Sequence, residues 1–185
     1  MSITRRHLLL GLPFAVSIAG GAGFYALLQR MRAGDYNPHS LPSPLIGKPP
    51  PAFTLPGVAG LPGVSALALQ SLTTPIVVNW FASWCAPCQQ ESQTLQWLHN
   101  KGVTIWGIAY EDSPAAITQF LHQYGTPYQR LGMDETGLTA INWGVYGVPE
   151  SYVIDKTGIV RWRYAGPLTE EVVNDHLMPL LDGAA

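Results

Sequence analysis

The stretch Ile76-Val77-Val78-Asn79-Trp80-Phe81-Ala82-Ser83-Trp84-Cys85-Ala86-Pro87-Cys88 decides the fold, because it runs an apolar segment straight into the only two cysteines of the chain. Ile76 to Phe81 is an almost continuous β-branched and aromatic run, the pattern of a central strand buried on both faces. Beyond the cysteines, Gln89 to Leu98 carries Leu95 and Leu98 on one side with Glu91, Gln93 and Gln96 elsewhere, so a helix is expected to open at or near Cys85. A cysteine at such a junction has its sulfur against the unpaired N–H groups of a first helical turn. Those groups favour the thiolate, the species that attacks a disulfide. A lone pair of cysteines at this spacing cannot build a disulfide framework; it is a redox dithiol or half of a metal site. Zinc needs four ligands as a rule, and His39, His99, His122 and His176 stand at no finger spacing, so neither a metal nor another cofactor is expected.

With 185 residues and 47% apolar content, the chain can build one well-cored domain and not two sizeable ones plus an anchor. Charged residues are 12%, against about 25% in ordinary soluble domains, and one uncharged N-terminal stretch accounts for part of the deficit. The net charge of -2, with no basic run longer than Arg5-Arg6, argues against a nucleic-acid partner.

Working outward to the N-terminus, Leu8 to Leu28 holds about 21 residues without a charge, enough at 1.5 Å per residue to span a bilayer core of roughly 30 Å. Its small residues also suit a cleaved signal peptide, but the apolar run continues through Phe24, Tyr25, Leu27 and Leu28, longer than a signal core, and favours an uncleaved anchor. Arg5 and Arg6, which with Thr4 to Leu9 also resemble a twin-arginine signal, favour a cytoplasmic N-terminus by the positive-inside rule. Pro38, Pro42, Pro44, Pro49, Pro50 and Pro51 then impose an extended tether. The expected organisation is a cytoplasmic segment 1–7, a transmembrane signal anchor 8–28, a proline-rich linker 29–50 and a folded domain 51–182.

Within that domain, Ala52 to Leu55 suits an edge strand, and Gly57 to Leu69 a loop with a short strand. Val103 to Ala109 is the strand after the cysteine helix, and Ser113 caps a helix through Tyr124 with Pro114 at its first position. Tyr128 to Leu131 and Glu135 to Trp143 suit a short strand and a short helix. Ser151 to Asp155 and Ile159 to Tyr164 flank a tight turn and should pair antiparallel. After Thr169, an apolar stripe of Val172, Val173, His176, Leu177, Leu180 and Leu181 marks a closing helix. The alternation predicts an α/β domain, a mixed sheet with parallel pairs at its centre and helices on both faces.

That order resembles the thioredoxin-like fold over residues from about 45 to 182. Three blocks, Gly47 to Phe53, Ala82 to Cys85 and Gly144-Val145-Tyr146-Gly147-Val148-Pro149-Glu150, together resemble the CcmG (DsbE) family of membrane-anchored thiol:disulfide interchange proteins of cytochrome c maturation. The resemblance implies that Cys85 is an exposed nucleophile entering a mixed disulfide and Cys88 the buried thiol that resolves it. It implies a cis-proline at Pro149, with the Val148 backbone offering strand-like hydrogen bonds to a partner and Trp84 shielding the disulfide. Ordinary thioredoxins carry a buried aspartate where this chain has Asn79. An amide cannot take the proton the resolving thiol loses, so Glu91, one turn beyond Cys88, and Glu150, next to Pro149, are the candidates for proton transfer or thiol pKa tuning.

The implied activity is that of a protein-disulfide reductase at the inner membrane, single-pass, with its domain in the periplasm. Its implied partners are apocytochrome c, whose Cys-x-x-Cys-His disulfide it would reduce, or a maturation protein, and a membrane electron donor that recharges the dithiol. A general periplasmic reductase with other clients, and a non-enzymatic module that binds apocytochrome or a haem-handling partner, are the alternatives.

Overall fold

A computed structural model describes residues 5–32 and 43–183. The chain divides into two units, Met1–Leu41 and Pro42–Ala185. In the first, Arg5–Arg32 forms one uninterrupted helix, α1. Its apolar residues are spread around the circumference and form no single stripe, and the large apolar side chains from Val16 to Leu28 are exposed. Among the described residues no helix is long and apolar enough to cross a membrane. The segment expected to be a span, 8–28, lies within this helix. The linker residues 33–42, His39 among them, lie outside the described residues.

The second unit begins earlier than Pro51. Leu45 is buried, the Gly47 N–H donates to the Val160 carbonyl at 2.8 Å, and the Val160 N–H donates to that of Lys48 at 3.0 Å. Leu45 supplies an apolar anchor that the proline density conceals.

A two-stranded hairpin of β1 (Thr54–Leu55) and β2 (Val64–Ser65) leads into the single turn α2 (Ala66–Leu69). The principal sheet has the order β5-β4-β3-β6-β7. Its strands are β3 (Ile76–Phe81), β4 (Ile105–Tyr110), β5 (Arg130–Asp134), β6 (Glu150–Ile154) and β7 (Val160–Ala165). β3 pairs parallel with β4, and β4 with β5, while β3 with β6 and β6 with β7 run antiparallel. This is the mixed sheet that the strand and helix alternation predicts.

Every residue of β3 is buried, and its alternation divides the interior in two. Val77 and Phe81 face a core shared with Cys85, Cys88, Leu95 and the C-terminal helix. Ile76, Val78 and Trp80 face a second core with Trp143 and Tyr152. Helices α3 (Ala86–Asn100), α4 (Pro114–Tyr124) and α5 (Leu138–Trp143) connect the strands. The side chain of Ser113 caps α4 by accepting from the Ala116 N–H at 3.2 Å.

The closing helix is not continuous. It runs as α6 (Glu170–Val172), a π-helical turn over Val173–Leu177, and α7 (Met178–Gly183). Pro179, which the apolar stripe does not register, lacks the N–H that an α-helix would donate and crowds the carbonyl four residues back, so the widened turn precedes it.

Candidate active site

Because β3 delivers the chain to the N-terminus of α3, the cysteines sit at the C-terminal end of the parallel strands. Cys85 is the cap residue of α3 and Cys88 lies in its first turn, with Pro87 between them where a missing N–H costs the helix nothing. The two form a disulfide, with Cα atoms 5.3 Å apart. The Cys88 N–H points at Cys85 Sγ at 3.2 Å, so the helix terminus aims a donor at the sulfur that would carry charge once reduced.

Around the disulfide the chain closes tightly. The Val148–Pro149 peptide is cis, and the Val148 carbonyl oxygen lies 3.4 Å from Cys85 Sγ. Cys85 is only 4% exposed in this oxidised form, so the exposed nucleophile expected there is instead covered, with the cis-proline loop lying against it. Trp84 is 59% exposed beside it, its indole N–H donating to the Glu111 carbonyl at 3.2 Å. The Ser83 N–H donates to Asp112 Oδ2 at 2.6 Å and fixes the turn before Trp84.

The two candidate acids stand on opposite faces of the sheet. In the β3·β6 register Ser151 lies opposite Asn79 and Glu150 opposite Trp80, which places Glu150 with the second core. Glu91, on α3, reaches the first. It is 2% exposed; Asn79 Nδ2 donates to its Oε1 at 2.9 Å and the Leu168 N–H to its Oε2 at 3.0 Å. Burial outweighs both hydrogen bonds and pushes its pKa up to about 7. Asn79 is itself held, donating to Ser151 Oγ at 3.1 Å and accepting from the Tyr128 hydroxyl at 2.9 Å. Burial, reinforced by Glu91, raises the Tyr128 hydroxyl well above its ordinary value, so it stays a donor.

Glu150 is committed elsewhere. Arg163 Nε meets its Oε1 at 2.6 Å and Arg163 Nη2 its Oε2 at 2.8 Å, and the Tyr152 hydroxyl also donates to it. The pair is almost wholly buried. Both carboxylate oxygens are engaged by a cation, and of the two acids only Glu91 lies on the cysteine helix. Arg163 also lies under the exposed ring of Tyr146, 5.0 Å from its centroid, which ties Glu150 to the loop that carries Val148 and Pro149. Arg163, Tyr128, Ser151 and Leu168 carry no local sequence signal; only the register and the packing bring them to the site.

Comparisons with known proteins agree with this geometry. Residues 46–163 match the family described as AhpC/TSA family. The thiol:disulfide interchange protein HelX of Rhodobacter capsulatus is 38% identical over 179 residues, covering 96% of this chain and 97% of its own. The thiol:disulfide interchange protein DsbE of Pseudomonas fluorescens biotype C is 43% identical over 76% of this chain and 78% of its own, and that of Escherichia coli K12 is 34% identical over 95% and 94%. Among solved structures, a thiol-disulfide oxidoreductase from Bacteroides fragilis superposes with a TM-score of 0.59 at 25% identity, covering 72% of this chain and all of the other.

Proposed function

The chain belongs to the thiol:disulfide interchange proteins of the DsbE and HelX kind, within the AhpC/TSA family, and from that premise we propose that this protein-disulfide oxidoreductase works as a reductant in cytochrome c maturation. The observation that carries the direction is Glu91. A buried carboxyl one turn from Cys88, half ionised near pH 7, opposes a second negative charge beside it. Destabilising the thiolates favours the disulfide product, which makes the dithiol a better electron donor.

In the forward reaction the Cys85 thiolate attacks one sulfur of a client disulfide, forming a Cys85–client bond and releasing the client's other sulfur as a thiolate. The Cys88 thiol gives its proton to Glu91, and its thiolate attacks Cys85 Sγ. The Cys85–Cys88 bond forms, the mixed disulfide breaks, and the second client thiolate leaves. Two electrons have passed from the chain to the client, and a membrane electron donor returns them. The client is the oxidised Cys-x-x-Cys-His segment of apocytochrome c or a mixed disulfide on a maturation protein.

The N-terminal helix holds this domain at the periplasmic face of the inner membrane as a single-pass anchor. A 28-residue helix whose large apolar side chains from Val16 to Leu28 are exposed, with Arg5 and Arg6 preceding them in sequence and Arg30 and Arg32 following, supports that placement. Alkaline extraction of membranes tests it: retention in the pellet is expected, and release into the supernatant refutes the anchor. The client assignment is tested by redox titration against glutathione together with capture by a Cys88→Ser chain in cells. A midpoint nearer thioredoxin (about -270 mV) than DsbA (about -120 mV), with maturation proteins among the captured partners, is expected. Captured partners that lack them refute the specific role and leave a general reductase.

A further inference from the structure

Asn79 has three buried side-chain partners, Glu91, Ser151 and Tyr128. An amide presents an acceptor on one side and two donors on the other, and a half-turn about its last bond exchanges them. In the orientation found, Nδ2 serves Glu91 Oε1 at 2.9 Å and Ser151 Oγ at 3.1 Å, while Oδ1 accepts from the Tyr128 hydroxyl at 2.9 Å. The exchanged orientation would turn Oδ1 to Glu91 and Ser151. An ionised Glu91 forbids it, because two oxygens with no proton between them repel. A protonated Glu91 allows it, by donating to Oδ1. The Ser151 hydroxyl serves either orientation, since it can donate or accept.

Tyr128 does not. Its hydroxyl has no second hydrogen-bond partner among the described residues, so accepting from Nδ2 would leave its own proton buried without an acceptor. The ring is held in place as well. It stacks on Phe81 with centroids 5.0 Å apart, and it lies against the bare backbone of Gly107, where a Cβ would stand 3.0 Å from Tyr128 Cδ1. Burial, reinforced by Glu91, keeps the hydroxyl protonated. Tyr128 is thus a fixed donor at a fixed point.

We propose that Tyr128 is a positioning residue for thiol exchange: its hydroxyl proton locks the Asn79 amide so that Nδ2 stays on Glu91 while that carboxyl takes the proton of Cys88. The inference rests on Glu91 as the acceptor of that proton and adds what keeps it an acceptor. As the Cys88 S–H bond breaks and an O–H bond forms on Glu91, the amide cannot turn to accept from the new acid. The ionised form therefore always meets two N–H donors, from Asn79 and Leu168, and the protonated form gains no acceptor from Asn79. Glu91 is packed by β3 through Asn79, by the segment after β7 through Leu168 and by the segment before β5 through Tyr128, with Cys88 one turn away on α3; among the described residues no charged side chain bears on it.

Tyr128→Phe keeps the ring and removes only the oxygen. In the oxidised full chain, carbon-13 NMR of the labelled glutamate carboxyls follows Glu91 without any exchange chemistry, and its midpoint is expected to rise by about one pH unit in the variant. Separately, the reduced chain with excess 2-hydroxyethyl disulfide forms a mixed disulfide at Cys85, whose closure by Cys88 is followed by stopped flow. Its inflection should rise with the Glu91 midpoint, making closure about fivefold slower at pH 7 and restoring the parent rate by pH 9. On an Asn79→Ala background, Tyr128→Phe should move neither quantity. A merely structural loss would lower the urea midpoint and leave the inflection in place. An unmoved Glu91 midpoint in Tyr128→Phe, closure that does not follow that midpoint, or a shift that persists on the Asn79→Ala background overturns the lock. A parent chain whose closure has no inflection at the midpoint of Glu91 overturns Glu91 as the base, and this inference with it.

Discussion

Asn79, in the middle of the central strand, donates its side-chain amide to Glu91 at 2.9 Å, so a neutral residue of β3 orients the one buried carboxyl on the cysteine helix. With the Leu168 N–H on the other oxygen, both acceptor positions of Glu91 are occupied by neutral donors. Its proton affinity is raised by burial, and these two hydrogen bonds offset only part of that rise.

Replacing Glu91 by Gln removes a titration near pH 7 from the site. The rate of disulfide closure from the mixed disulfide should lose its inflection there and fall by about 10²- to 10⁴-fold above it, the ordinary worth of general-base assistance. Stopped-flow closure rates from pH 5 to 9 measure this, and an inflection that persists in the variant assigns the proton to another group.

The same shift predicts a stability slope. Glu91 has a higher pKa folded than unfolded, so the folded state binds more protons between pH 4.5 and about 7. Its contribution is fully present below the unfolded value and is lost as pH rises through the folded one, at a cost of roughly 3 kcal/mol. Urea unfolding of the oxidised chain at pH 5 and pH 8 should show that loss, and Glu91→Gln should flatten it.

Asn79→Asp places a second carboxyl within hydrogen-bond reach of Glu91, as in ordinary thioredoxins but with the first acid still present. Two carboxyls at that distance share a proton, so the pair should titrate in two steps, the upper one about a unit or more above pH 7. The pH profile of closure should move with it; a profile that stays in place disconnects Asn79 from the proton transfer.

Arg163→Met leaves the Glu150 carboxylate buried without its cation and should destabilise the domain by about 3–5 kcal/mol. Adding Glu150→Gln to it removes the orphaned charge and should restore most of the loss, which chemical denaturation of the three variants resolves. Glu150→Gln alone should shift the pH dependence of Cys85 alkylation less than Glu91→Gln does, because Glu150 belongs to the opposite face of the sheet.

Much of this was legible in local pattern. The uninterrupted apolar run Ile76 to Phe81 marks a strand buried on both faces, and Ser113 with Pro114 marks a helix start, found at Pro114. The cysteine spacing placed the dithiol at a helix opening, where it is. What resisted reading depends on partners distant in sequence. Glu91 and Glu150 look alike as isolated acids near the motif; only the strand register, which sets Ser151 beside Asn79 and turns Glu150 to the other core, separates them. Leu45 looked like linker because its neighbours are prolines, although a single buried leucine and two backbone hydrogen bonds to β7 suffice to dock it.

The most direct test of the account is the trapping of a mixed disulfide at Cys85. The reduced Cys88→Ser chain is mixed with an oxidised peptide containing Cys-x-x-Cys-His, and the product is weighed by intact-mass spectrometry and mapped by proteolysis. The account predicts one peptide bound through Cys85, released by dithiothreitol and absent from a Cys85→Ser chain. A chain whose Cys85 alkylates readily yet forms no adduct with the peptide would contradict it.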